Sequence, residues 1–459
     1  MFKNKIAAKV KNIIKDKDER NLYINIFWAF TIKGVSLFIS MFSMPLYIRY
    51  FNDNDVLGVW YTALSVLSWI SMCDLGFGNG LRNRFTEAYT VGDMTSAGKY
   101  VSSTYASLTA IILPIIAFGA MALPHVDLNG FFNLSEELVS PQVMCEAVTI
   151  LAVGIGVSFI LKSINSIIYA IQKSSINNFI SLFISALPLG YIMIAPSGTI
   201  EQNLIRLAIV HALAQNVPLV VASFIVFSKE ELKCCRPRVK NVHFSVAKQM
   251  LGFGLQFFLA QVFFMVLMST NELFVTRLFS AADVVEYSVY YKLFTVVGSV
   301  FMLALTPLWS KVTKDLANRQ YEKIRQTNKI LYMISAAAVV AELMLVPVLQ
   351  IAVNIWLGAD AIAVNYGTAI VFALFGSEYI LNIVLTTIAN GMGELRTQIF
   401  FYGIGAVLKI PVCVAMKEIW PSWTVIVLYN CIVLLVFCVY QMFWVKRKLK
   451  MLSEIENVE

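Results

Sequence analysis

Charge is scarce in this 459-residue chain: Asp, Glu, Lys and Arg make up 14% of it, against 58% hydrophobic residues. An average soluble domain carries roughly 25% charged and about 45–50% apolar residues. So little polar surface cannot coat the several globules that ~100–200 residues per domain would suggest. Cysteine is sparse too, and seven over the whole length make no disulfide framework. With only three histidines a zinc site is not expected, and the vicinal pair Cys234-Cys235 lacks metal-ligand spacing. No P-loop motif occurs, so the chain by itself has no cradle for ATP. Disorder is excluded by 32 Phe, 19 Tyr and 8 Trp, far too many for a chain that stays unfolded.

What the sequence has in abundance is apolar length, with a mean hydropathy of +0.72. Twelve runs approach the ~20 residues needed to cross a bilayer as a helix, at roughly 22–48, 57–76, 99–122, 143–170, 177–196, 203–228, 248–272, 285–309, 329–352, 363–390, 397–419 and 422–445. Lys and Arg number 36 against 28 Asp and Glu, a net charge of +8, and alternate connections collect nearly all of the basic residues. Twenty-eight fall on one side, three (Arg49, Arg277, Lys417) on the other and five within spans. By the positive-inside rule the basic side is cytoplasmic and both termini lie there. The basic balance is therefore topological, and nucleic acid is not an expected partner. Residues 1–20 place Ile6, Val10, Ile13 and Ile14 at helical spacing among lysines, as in a helix lying on an anionic inner leaflet. The apolar run that follows is too long for a signal-peptide core of roughly 7–15 residues, and no cleavage is expected.

The connections are short. The longest, 123–142 and the central 229–247, have about 20 residues each, below the ~40 that folding alone requires. Any chemistry would have to happen at the bilayer, and no enzyme motif supports one. The run Asp74-Leu75-Gly76-Phe77-Gly78-Asn79-Gly80 has the wrong spacing for a nucleotide loop and no βαβ unit around it. It reads as the cytoplasmic end of the second span.

Sliding the second half over the first by 228 positions superposes Arg49 on Arg277, Phe51 on Phe279, Asp55 on Asp283 and Val56 on Val284. Each set follows the first span of its half. The expected fold is therefore all-α, with about twelve transmembrane helices in two parallel six-helix halves around a central cavity. The halves are 21–228 and 248–445, joined by a cytoplasmic linker at 229–247 and followed by a tail at 446–459. Parallel repeats about an axis along the membrane normal are a transporter architecture.

Charges inside the spans carry the remaining information. Lys33, Glu342, Glu378 and Lys409 fall near the middle of their helices, with Lys292 and Lys162 about two turns from an end. At mid-membrane such a group costs ~2.5–3.5 kcal/mol on translocon scales, so it should face a cavity or a partner. Two readings stay open: lysines pairing with glutamates as structural glue, or a cationic cavity for an anionic substrate with a carboxylate available for ion coupling. Seven prolines in or beside spans (Pro45, Pro114, Pro188, Pro218, Pro307, Pro347, Pro411) are compatible with bent helices.

The stretch Pro45–Glu87 (PLYIRYFNDNDVLGVWYTALSVLSWISMCDLGFGNGLRNRFTE) resembles the opening signature of bacterial polysaccharide transporters of the O-antigen flippase type. Gly58-Val59-Trp60 opens the second helix, Asp74-Leu75-Gly76 closes it, and Gly80-Leu81-Arg82-Asn83 follows. Length and helix number extend the similarity over the whole chain. In the second half, Glu286 stands opposite Gly58 and the Asp-Leu-Gly signature has no counterpart. The family shares a superfamily with the multidrug and toxin extruders. The resemblance implies a cytoplasmic (inner) membrane protein that moves undecaprenyl-pyrophosphate-linked oligosaccharides between leaflets, without cofactor or metal, alongside other polysaccharide assembly proteins. A lipid pyrophosphate cannot cross hydrocarbon unaided, because its charges and hydroxyls would lose their water. Lys33, Lys292 and Lys409 are the residues expected to attract it, with Arg82 and Arg84 assisting at the cytoplasmic mouth. Glu378, Glu342 and Asp74 are the candidates for ion coupling. A cation-coupled drug exporter of the same fold is the alternative, although its usual cationic substrates suit a lysine-bearing cavity poorly.

Overall fold

The computed structural model describes residues 76–456 apart from 133–134, 196–197, 280 and 358–361. Before these it describes 27–28, 31–32, 34–35, 39, 46–47, 49–51, 53, 56–57 and 60. Lys33, Asp55 and Asp74 lie outside the described residues, as do most of the first two expected spans.

The described chain is helical, as a backbone in hydrocarbon must be if its polar groups are to be satisfied within each segment. In order come α1 (Phe77–Thr90), α2 (Met94–Ala122), α3 (Pro141–Leu161), α4 (Ser163–Ala170), α5 (Ser174–Ile194) and α6 (Ile200–Ser228). After the linker come α7 (Phe244–Ser269), α8 (Asn271–Leu278), α9 (Ala281–Ala317), α10 (Tyr321–Leu357), α11 (Tyr366–Gly391), α12 (Arg396–Ile419) and α13 (Thr424–Glu456). Among the described residues nine helices are long and apolar enough to cross a membrane, or ten if a bent pair counts as one span. These ten coincide with the last ten of the twelve apolar runs. The bent pair is Glu286–Ser299 with Ala304–Ala317, turned by 41°. Pro307 sits just beyond the break, and a proline ring clashes with the carbonyl one turn back, which bends a helix at that place.

The chain divides into two compact units, Met1–Leu255 and Gln256–Glu459. In the first, α3 packs along α6 where Gly154 lets the helices close. A Cβ there would lie 2.6 Å from that of Ala212, and the exposed carbonyl of Gly154 accepts from Asn216 Nδ2 at 2.8 Å. Small residues at such crossings are the usual device for packing helices in lipid. The linker at 229–247 is fastened to this unit. Leu232 and Cys235 are buried in its core, Arg236 Nε donates to Phe227 O at 2.8 Å, and the Arg238 and His243 amides donate to Ser102 and Ser103. Burial, then the neighbouring Cys234, push the Cys235 thiol up to about 12, so it stays protonated rather than offering a thiolate to a metal.

In the second unit α11 is the central helix. Of its most apolar window 72% is buried, against 22% for α10 and α12, whose outer faces expose Ile355, Val407 and Ile410 as lipid-facing helices do. It packs against α9, α10 and α13. Tyr287, Tyr290 and Phe294 recur on one face of α9 and meet Phe372 in the core, the i, i+3, i+7 spacing of a buried helical stripe. The N-terminus of α11 is capped by Asn365, whose side chain accepts from the amides of Gly367 and Thr368.

Candidate functional site

The charged side chains of the spans meet very different surroundings. Lys409, on α12, is fully buried, yet its ammonium touches no carboxylate. It donates to Leu267 O at 2.6 Å, Asn271 Oδ1 at 2.7 Å and Thr270 Oγ1 at 2.9 Å, and reaches Val266 O at 3.3 Å. The ring of Phe274 lies on another side, 5.0 Å from Nζ to its centroid, within cation–π range. Val266 and Leu267 belong to the last turn of α7, the electronegative end of a helix, where a cation is favoured. Lys409 therefore does not face an open cavity. Its donors are taken, and its charge is balanced by oxygens that neighbours orient: Asn430 Nδ2 also donates to Asn271 Oδ1 at 2.9 Å, and Asn271 Nδ2 donates to Tyr287 OH at 3.0 Å.

Glu342, on α10, is equally buried at 1% exposure, and neither carboxylate oxygen meets a hydrogen-bond donor among the described residues. It lies against Gly376 of α11, where a Cβ would come within 3.1 Å of the carboxylate and 2.6 Å of Phe294 O. Glu378, two residues further along α11, is half-buried. Its Oε2 also lacks a donor, and its carboxyl lies within hydrogen-bond reach of the Cys431 thiol. Among the described residues no ion pair joins Lys409 to either glutamate. Lysine–glutamate glue is thus not how this unit holds its deep charges.

The basic candidates divide as well. Lys292 is exposed on α9, turned away from the buried stripe of Tyr290 and Phe294. Arg82, on α1, is only 4% exposed, with its guanidinium over the Tyr169 ring at 4.6 Å. Arg84 is half-buried, paired with Glu87 at 3.0 Å and lying over the Phe253 ring at 5.2 Å. Lys33 and Asp74 lie outside the described residues. Beside the linker, a cleft of about 450 Å³ is lined by Tyr89, Lys173, Lys229, Glu230 and Glu231. Its charges balance, and Tyr89 OH donates to Glu231 at 3.3 Å. Burial and then Glu231 raise that phenol above its ordinary value. Among the described residues no group of His, Cys, Asp and Glu could hold a metal ion.

The polar residues around Lys409 were not picked out from sequence. Asn271 reads as part of the polar stretch Ser269-Thr270-Asn271-Glu272 at the end of a span, Tyr287 as an aromatic between Glu286 and Ser288, and Asn430 as a polar interruption of an apolar run. The signal lay in Asn430 within an apolar span, since an amide there needs a partner. A second set joins α11, α12 and α13: Tyr402 OH donates to Asn382 Oδ1 at 2.6 Å, Gln398 Nε2 to Asn390 Oδ1 at 2.8 Å, and Thr397 Oγ1 to Gln441 Oε1.

Known proteins fit this picture. No protein-family model matches the chain. A Salmonella typhi protein whose name ascribes O-antigen transport to it is 21% identical over 267 residues, which cover 57% of this chain and 58% of that protein. Among solved structures, a Vibrio cholerae multidrug and toxin extruder in its bent form superposes with a TM-score of 0.69 at 13% identity, over 95% of this chain and 99% of that one. A transporter of the same superfamily from Pyrococcus furiosus, described as having a binding pocket of reversed polarity, gives 0.71 at 12% identity, over 95% and 97%. By fold, this chain is similar to the solved multidrug and toxin extruders, and by sequence it is similar to a protein named for O-antigen transport.

Proposed function

We propose that the chain is a flippase that moves undecaprenyl-pyrophosphate-linked oligosaccharides across the bacterial cytoplasmic membrane by alternating access, supplying surface polysaccharide assembly. The observation that carries this reading is the likeness to the Salmonella typhi protein on a transporter fold matched over 95% of the chain. The chemistry agrees. A lipid pyrophosphate needs replacement contacts for its charge while the polyprenyl tail stays in hydrocarbon, and this protein carries deep basic residues to provide them. Lys292, exposed on its helix, and Lys33 are assigned to the pyrophosphate, with Arg84 and the more enclosed Arg82 assisting loading from the cytoplasmic side. Lys409, enclosed by its own oxygens, is assigned to the frame. Glu342, whose two carboxylate oxygens meet no donor among the described residues, and Glu378, whose Oε2 meets none, are assigned to ion coupling together with Asp74. Both termini are placed in the cytoplasm, and other polysaccharide assembly proteins are the expected partners.

A deletion strain of the source bacterium tests the proposal. Loss of surface glycan, with finished lipid-linked units trapped on the inner leaflet, is expected. Normal glycan with new sensitivity to cationic dyes would instead assign the chain to drug export, the reading that the extruder-like fold itself suggests.

A further inference from the structure

We propose that Lys409 is the tethered occupant of a monovalent-cation site: its ammonium fills a cage of four protein oxygens that would otherwise hold a free cation of ammonium or potassium size. The cage atoms are Val266 O, Leu267 O, Thr270 Oγ1 and Asn271 Oδ1, at 2.6–3.3 Å from Nζ. Three features distinguish it from an ordinary buried lysine.

The first is composition. Four oxygens surround a group with three N–H donors, so the shell follows the coordination of an ion more than one-to-one hydrogen bonding. A buried charge is tolerable only where polar atoms replace its lost water, and here neutral oxygens alone do so. The second is that the oxygens are held in place by other donors. Thr270 Oγ1 spends its hydrogen on Val266 O, which leaves its lone pairs for the cation. Asn271 turns its oxygen inward because its amide nitrogen is engaged by Tyr287 OH, and Asn430 Nδ2 holds the same oxygen from the far side. The cage is thus oriented without help from Lys409. The third is origin. The cage comes from the α7–α8 junction, whereas the lysine arrives from α12, 138 residues further along the chain. The site and its occupant are separable pieces of covalent structure, as a binding site and its ion are. The consequence is that this unit brings its own cation and needs no alkali-metal ion to hold the junction in place. Its failure would leave the flippase reading untouched.

The test is chemical replacement in the purified, detergent-solubilised full chain. Lys409→Ala removes the tethered cation and opens its path. Its thermal midpoint should fall well below that of the wild type in choline chloride. At equal ionic strength in ammonium, methylammonium or potassium chloride it should rise with the logarithm of the cation concentration, as a native-state ligand requires. The wild type, already occupied, should show no preference among these salts. An Ala variant that responds alike to all of them, or a wild type that gains from potassium over choline, would overturn the proposal. If the variant does not fold in choline, it is produced and purified throughout in ammonium chloride: recovery there alone supports the site, and failure in both overturns it. Asn271→Ala supplies a control, because its ammonium is still in place. It should be destabilised with no recovery in any cation, and recovery in potassium would contradict the tethered-ion reading.

Discussion

Lys409 and Glu342 are buried to the same degree in the same unit, at 0% and 1% exposure, and their surroundings are opposite. Around the lysine, four oxygens converge on the ammonium, each oriented by its own neighbours. Around the glutamate, which lies against Gly376, no donor among the described residues reaches either carboxylate oxygen. The same placement in an apolar helix therefore produces two kinds of group. One is finished by the protein and holds helices together. The other is left with unmet hydrogen-bonding capacity, the feature on which its proposed role in ion coupling rests. The difference lies in what the packed neighbours supply, and burial alone does not reveal it.

The comparison breaks most readily at the finished site. Asn271→Leu removes one oxygen from the ammonium, strands the Asn430 amide donor and takes away the donor that the Tyr287 hydroxyl accepts from. Leaving a buried charge short of its partners should cost about 3–5 kcal/mol, seen as a large fall in thermal midpoint in detergent. Gly376→Ala attacks the unfinished site through its packing. The added methyl would lie 2.6 Å from Phe294 O, and overpacking of this kind costs about 1–3 kcal/mol, with α9 and α11 forced apart. Asn365→Ala removes only the cap of α11 and should cost about 0.5–2 kcal/mol, which checks that the larger losses report the deep groups rather than general fragility.

The smallest effect on stability is expected from Glu342→Gln, since no protein hydrogen bond is lost. The midpoint should move by less than about 1 kcal/mol equivalent, while the response of transport to an imposed ion gradient should fall. A Glu342→Gln protein that is strongly destabilised, with coupling intact, would erase the distinction between the two groups.

The membrane class and ten of the apolar spans were legible in the sequence, because hydropathy sums over neighbouring residues and a spanning helix satisfies its backbone internally. The seven prolines marked where spans could bend, and Pro307 stands beside the 41° bend, but the sequence did not single it out from the other six. The fate of the deep charges was not. Lys409 looked like a cavity lysine because nothing near it in sequence accepts a hydrogen bond, and its acceptors come from a helix end 138 to 143 residues earlier. Hydropathy put Lys292 within a span and Arg82 in a cytoplasmic connection, yet Lys292 is the one exposed on its helix and Arg82 the one enclosed over Tyr169.

That the chain forms membrane helices, where ten of them run, and which connections gather its positive charge could all be read without coordinates. Those properties follow from local composition, read by the bilayer one segment at a time. Tertiary structure alone decided which charge would be enclosed, which would be left without a donor and which would face outward. A charge in hydrocarbon is stabilised by atoms from other helices, and only packing brings them within 3 Å.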